Sequence, residues 1–283
     1  MLFRSALAVA VVRAGQRDSA ANRDLQGAQA AAVGRGPRLR RSGIAHPPVA
    51  VVNRPVDTSF QELSESLAAT IGIAVAAAGA EPVSLGTWSS GVAWSTIKVP
   101  LAIAALRARP DSTDLVFKTI TQSDNAAAEE LWSQLGDPAE ATQRVQAVIT
   151  EAGDAATVVE SRRLRSEYTP FGQTQWSLAH LAQFAAGLPR IPDAARVVDL
   201  MRNLSTGHRW GLAAKGFAAK GGWGPGRVGD YVVRQFAIVP TGSRTVGVAL
   251  AAETHDSGYE AGVDVINALA DWLVDHLSEL TQD

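Results

Sequence analysis

"Trp94-Ser95-Thr96-Ile97-Lys98-Val99-Pro100-Leu101-Ala102" is the stretch on which the reading of the chain turns. It sets one of only four lysines three residues after a serine, at the head of an apolar run. On a helix, residues three apart share a face, so the Ser95 hydroxyl and the Lys98 amine can meet. A neutral serine is a poor nucleophile and needs a base beside it. A lysine serves when burial or nearby positive charge lowers its pKa, and "VPLAIAAL" supplies apolar surroundings. Taken singly, the pair has a second reading, a helix-capping serine followed by a solvent-facing lysine.

The rest of the chain narrows the choice. At 283 residues and 46% hydrophobic, it can bury a core as one large domain or two lobes. A net charge of −2 offers no basic excess to neutralise phosphates, which argues against nucleic acid as a partner. With no cysteine, disulfides, thiolate metal sites and cysteine nucleophiles are excluded. His46, His180, His208, His255 and His276 show no metal-ligand spacing, and no G-x-S-x-G elbow exists for a histidine-based triad. No cofactor or metal is implied. Gly224 to Gly229 spells G-x-G-x-x-G, but a β-type run follows it where the dinucleotide motif needs a helix, so it reads as a hairpin loop.

"MLFRSALAVAVVRAG" has a short apolar run between arginines, a weak export signal that would place the protein outside the cytoplasm. The run falls far short of an integral membrane span. Residues 1–55 read as leader and disordered linker, too poor in large apolar side chains to offset ordering entropy. The arginines at Arg35, Arg38, Arg40 and Arg41 read as a solvated tether, or as a contact for an anionic surface. Order is expected from about residue 56, with Ser59 and Glu62 as a capping box and Phe60, Leu63 and Leu67 on one helical face. "TIGIAVAAAG" and "PVSLGTWSSG" read as two strands. Residues 94–204 read as mainly helical, with Gly136 and Gly153 closing two helices. From Gly211, "GLAAKGFAAKGGW", "DYVVRQFAIVP" and "RTVGVALAAET" are β-type. A last helix over about 259–280 aligns Val263, Ile266, Leu269, Leu273 and Leu277. The expected fold is α+β. An antiparallel sheet is built from 56–93 and 205–283, flanked by the terminal helices, with an all-helical lobe inserted.

Two further strings bear on the serine–lysine pair: Ser123-Asp124-Asn125, between two helical stretches, and Lys220-Gly221-Gly222, ending a β-type run. With S-x-x-K they resemble the S-x-x-K, S-D-N and K-T-G set of serine β-lactamases and penicillin-binding proteins. "SDNAAAEELWSQLGDP" is similar to the helix that follows S-D-N in that family. The resemblance spans about residues 57–283. It implies the β-lactamase/transpeptidase-like fold, Ser95 as acylated nucleophile, Lys98 as proton acceptor and Ser123 as proton shuttle. Asn125, Lys220, Gly221, Gly222 and Trp223 would bind substrate. The Ser95 and Trp223 backbone N–H groups would form the oxyanion hole. The plainer readings make Ser123 and Asn125 helix caps and Lys220 a turn residue.

Three departures qualify the resemblance. Gly221 stands where the family usually has a hydroxyl that helps hold the substrate carboxylate; Arg227 or Arg234 would have to compensate. No E-x-x-L-N stretch is present: "VVESRRLRSEYTPFGQTQWS" offers Glu160 and Glu167, but the aligned position lies near Arg163, so slow deacylation is expected. Only 28 residues separate Ser95 from Ser123, about half the interval of class A enzymes, which implies a cleft more open on that side. The function these features imply is acyl-enzyme hydrolysis of a β-lactam or related, peptidoglycan-like amide. A D,D-peptidase and a non-catalytic scaffold on the same fold are the alternatives. The sequence does not fix the oligomeric state.

Overall fold

A computed structural model describes residues 56–226, 229–255 and 258–281. The leader, the tether and Arg227 therefore lie outside the described residues. The chain runs α1 (Val56–Ser66), β1 (Thr70–Ala77), β2 (Val83–Gly86), β3 (Ser90–Val92) and a 3-10 turn at Trp94–Ile97. Then come α2 (Lys98–Ala108), α3 (Thr113–Thr121), α4 (Asn125–Gln134), α5 (Pro138–Glu151), β4 (Gln175–Ser177), α6 (Leu178–Gly187) and α7 (Ala195–Arg202). The chain closes with β5 (Ala218–Pro225), β6 (Asp230–Thr241), β7 (Arg244–His255) and α8 (Tyr259–Leu280).

The main sheet is antiparallel with strand order β2-β1-β7-β6-β5, so strands from the two ends of the ordered chain meet at β1 and β7. Side chains alternate across it. Val246, Val248, Leu250 and Ala252 of β7, with Val233, Ala237 and Val239 of β6, join the core beneath α1 and α8. Ala249 and Ala251, with Val232, Phe236 and Ile238, face the core shared with α2 to α6. Helix α6 lies so close to β7 at Gly247 that a Cβ there would sit 2.0 Å from the Ala182 carbonyl oxygen. The α+β architecture expected from the sequence is the one present.

Some local expectations differ. Helix α1 begins at Val56, so Ser59 lies inside it and cannot cap it. Its hydroxyl instead accepts the Trp272 indole N–H at 2.9 Å and donates to His276 Nε2 at 3.1 Å, while His276 Nδ1 donates to the Trp272 carbonyl. That chain ties α1 to α8. Residues 211–213 form a 3-10 turn, and β5 starts only at Ala218. Strands β3 and β4 form a small second sheet that the sequence pattern did not separate. Its anchor is Arg234, fully buried on β6, whose guanidinium donates to the carbonyls of Gly91, Val92 and Trp176 at 3.0–3.1 Å. Arg234 is thus a structural tie between the two sheets, not the anion receptor considered above. Among the described residues, no helix is long and apolar enough to cross a membrane.

Candidate active site

Ser95 sits in the 3-10 turn and Lys98 opens α2. The residue before the serine, Trp94, holds a left-handed φ of 50°, a conformation that costs a non-glycine residue of order 1–2 kcal/mol. Ser123 repeats the feature with a φ of 53°, between α3 and α4. The helix-capping role weighed for its neighbours falls to Asp124, whose carboxylate accepts the Ala127 N–H at 2.7 Å. With Asp124 capping, Ser123 and Asn125 are turned to other partners.

Those partners are the two buried lysines. Lys98 Nζ donates to the Ser123 carbonyl at 2.5 Å and to Asn125 Oδ1 at 2.6 Å. Lys220 Nζ donates to Ser123 Oγ at 2.8 Å and to the Gly221 carbonyl at 2.9 Å. Ser123 is therefore held between two amines, each 2% exposed. Burial lowers Lys98 to about 7, with the charge of Asp124 opposing. Lys220 is pushed well below the usual lysine range, by burial first and by Lys98 second. A lysine near 7 is partly an unprotonated amine at neutral pH, the form that can accept a proton.

Ser95, Lys98, Ser123, Asn125 and Trp223 line one cavity of about 320 Å³, together with Trp94, Glu129, Glu167, Tyr168, Thr169, Phe171 and Gly172. No residue between Lys98 and Ser123 contributes to its lining, in keeping with the short interval between the motifs. Strand β5 presses its backbone against the Ser95 turn. A Cβ at Gly222 would lie 2.8 Å from both the Ala93 carbonyl oxygen and the Ser95 nitrogen. That approach brings Gly222, the last residue of the motif, against the Ser95 amide.

Gly221 has a steric explanation. A Cβ there would lie 2.5 and 2.6 Å from the Trp210 ring, which is itself buried. The space that a threonine would need is filled by indole. Of the two glutamates singled out, Glu160 pairs with Arg162 at 3.1 Å and is absent from the cavity wall. Glu167 is on that wall, more than half exposed, with Arg165 at 3.6 Å and the Ser166 hydroxyl at 3.1 Å. The residue expected at the aligned position, Arg163, pairs at 3.6 Å with Glu129, which is itself on the cavity wall.

Sequence reasoning passed over Trp94, Glu129, Tyr168, Thr169, Phe171 and Gly172 on the wall, and His208 behind Trp223. Trp94 packs edge-on to Tyr168 at 5.0 Å. His208 stacks on Trp223 at 5.4 Å, and its Nε2 donates to the Gln122 carbonyl at 2.9 Å. Its pKa is lowered by burial and then by Lys220 and Lys98, against the opposing Gln122 bond, and its Nδ1 is buried without a partner. A histidine after "STG" had no local signal; only the folding of the 206–208 turn onto Trp223 gives it a place.

A family model described as the beta-lactamase enzyme family matches residues 108–277. The match takes in Ser123–Asn125 and Lys220–Gly222 but begins after Lys98. No curated protein matches the chain. Among solved structures, TLA-3 extended-spectrum beta-lactamase superposes with a TM-score of 0.62 at 13% identity, covering 78% of this chain and 98% of that one. A beta-lactamase from Chitinophaga pinensis gives 0.62 at 15% identity, with 78% and 99% covered. A class A beta-lactamase from Mycobacterium abscessus gives 0.59 at 16%, with 79% and 100% covered. At these identities the likeness speaks for the fold alone.

Proposed function

The chain belongs to the beta-lactamase enzyme family, and from that premise we propose that it opens β-lactams or related amides through an acyl-Ser95 intermediate. The observation that carries this reading is the pair of buried amines bracketing Ser123 in the cavity that also holds Ser95. Unprotonated Lys98 takes the hydroxyl proton as Ser95 Oγ bonds to the substrate carbonyl carbon. The developing oxyanion is met by the N–H groups of Ser95 and Trp223. As the C–N bond breaks, the Ser123 hydroxyl protonates the leaving nitrogen and is reprotonated from the lysines, while Asn125 hydrogen-bonds the substrate amide. Deacylation is slow in this proposal. Both carboxylates on the described wall are solvated and paired, Glu167 with Arg165 and Ser166 and Glu129 with Arg163, so neither is locked against the acyl carbon. The expected site of action is outside the cytoplasm.

The test is intact-protein mass spectrometry after incubation with a penicillin. A covalent adduct that is lost in Ser95→Ala supports the proposal. An adduct persisting for hours upholds slow deacylation and strengthens the D,D-peptidase alternative, and rapid turnover of a chromogenic cephalosporin overturns slow deacylation. The filling of the Gly221 space by Trp210 favours a second reading, a scaffold that keeps the fold without the reaction. Folded protein that forms no adduct would establish that reading instead.

A further inference from the structure

A second cavity, of about 290 Å³, shares only Trp94 with the catalytic one. Its sheet side is a single face of β6 and β7: Asp230, Val232 and Glu253, with Val232 directly opposite Glu253 in the register. Its other walls come from β3, β4, the end of β5 and the loop bearing Leu164 and Arg165. The volume is at the lower end of the range for small-molecule sites. It is as large as many a fragment-sized ligand needs, and nothing in the catalytic proposal uses it.

Three features of the walls specify an occupant. Trp88 and Trp94, both over nine-tenths buried, supply aromatic surface, extended by Val232 and by Leu164, which stands 49% exposed. The carboxylates lining the sheet side are negative, while Arg234 on the same β6 face is buried behind Trp88, 5.3 Å from its ring, with its guanidinium engaged by the Gly91, Val92 and Trp176 carbonyls. Glu253 contributes a carboxylate held by the Trp88 indole N–H at 3.0 Å. The Asp230 carboxylate lies close against Gly226, where an added Cβ would fall on it. The cation on the facing wall, Arg165, is engaged elsewhere. It donates to the Pro225 carbonyl at 2.8 Å, lies over the Tyr168 ring at 4.4 Å and has Glu167 within 3.6 Å.

We infer that this cavity is a ligand site for a small amphipathic amine, its flat apolar body against Trp88 and Trp94 and its ammonium toward Glu253. Aromatic faces attract such cations as well as apolar rings. Because Trp94 immediately precedes Ser95 and holds the strained φ of the nucleophile turn, the occupant would rest on the backbone that aims the Ser95 amide. The site thereby couples to the catalytic cavity without entering it.

The experiment is calorimetric titration of the full chain with tryptamine, indole and indole-3-propionate, three probes that share a ring and differ in charge. Tryptamine should bind at least tenfold more tightly than indole-3-propionate at low salt. Glu253→Gln, which retains an acceptor for Trp88, should weaken tryptamine tenfold and leave indole unchanged. Leu164→Trp, a change at a half-exposed side chain, should fill the cavity and abolish binding of all three, with thermal melting confirming that the variant is folded. Equal affinity for the anion, or tryptamine binding undiminished in either variant, would overturn the inference. So would failure of tryptamine to bind the unmodified chain. None of these readouts depends on reactivity at Ser95.

Discussion

Replacing Lys98 by Met gives the most direct test of whether its amine is held unprotonated by burial. Lowering an amine from 10.5 to about 7 disfavours its charged form in the folded state by about 5 kcal/mol. The sign follows from proton counting. Between pH 7 and 10.5 the unfolded chain holds more of this proton than the folded one, so wild-type stability rises with pH across that window. Below about pH 7 the full penalty is present; above 10.5 it is gone. Lys98→Met has no such group. Its stability relative to wild type should therefore be greatest at pH 7 and shrink by about 4 kcal/mol on going to pH 10. Loss of the bonds to Ser123 and Asn125 shifts that difference by a constant that does not change its slope. Relief of Lys220 from its positive neighbour acts in the same direction as the slope. Urea unfolding of both proteins at pH 7, 8, 9 and 10 measures the quantity. A stability difference that does not vary with pH would refute the claim that burial neutralises Lys98.

The same protonation should govern chemistry: the rate of Ser95 acylation by a penicillin, followed by stopped-flow, should rise through about pH 7 and level off above it. Gly221→Thr should destabilise the fold by about 1–3 kcal/mol through overpacking against Trp210, and on thermal melting the same substitution should cost less in a Trp210→Ala background than in the wild type. In Gly222→Ala, the added methyl presses on the Ser95 nitrogen, and acylation should fall at least tenfold, about 1.4 kcal/mol in the barrier, while near-ultraviolet circular dichroism stays native. His208→Phe keeps the stack on Trp223 but leaves the Gln122 carbonyl unmet. It should lower stability by about 1 kcal/mol and slow acylation, because the Ser123 turn loses its brace.

The long elements were legible because each carries a period. The stripe from Val263 to Leu277 and the alternation in "RTVGVALAAET" can be satisfied by only one kind of segment each. Strands β3 and β4 have three residues apiece and carry no period; they exist because a guanidinium from β6 collects their carbonyls, a long-range cause invisible in local sequence. The capping box expected at Ser59 failed for a related reason. Ser59 has the right spacing to a glutamate, yet it is drawn to Trp272 and His276, over 210 residues away. The short motifs singled out Ser95, Lys98, Ser123, Asn125 and Lys220, and the fold brings them together: the two amines meet at Ser123, and Ser95 shares its cavity. The cavity wall was less legible. Counting along the loop pointed to Arg163, but its course places Glu167 there instead, and loop paths follow packing against Trp94 and Phe171 that no spacing rule encodes.

The division of labour within Ser123-Asp124-Asn125 has a thermal consequence. Asp124 secures the first turn of α4 through a single side-chain bond, and its two neighbours hold the lysine amines. Helix ends open before whole domains do, so fraying of that one turn on warming would disperse the reactive groups while the rest of the molecule stays folded. Activity should then fade at temperatures below the melting transition, and a substitution that firms up this helix start should extend the working range without moving the melting point.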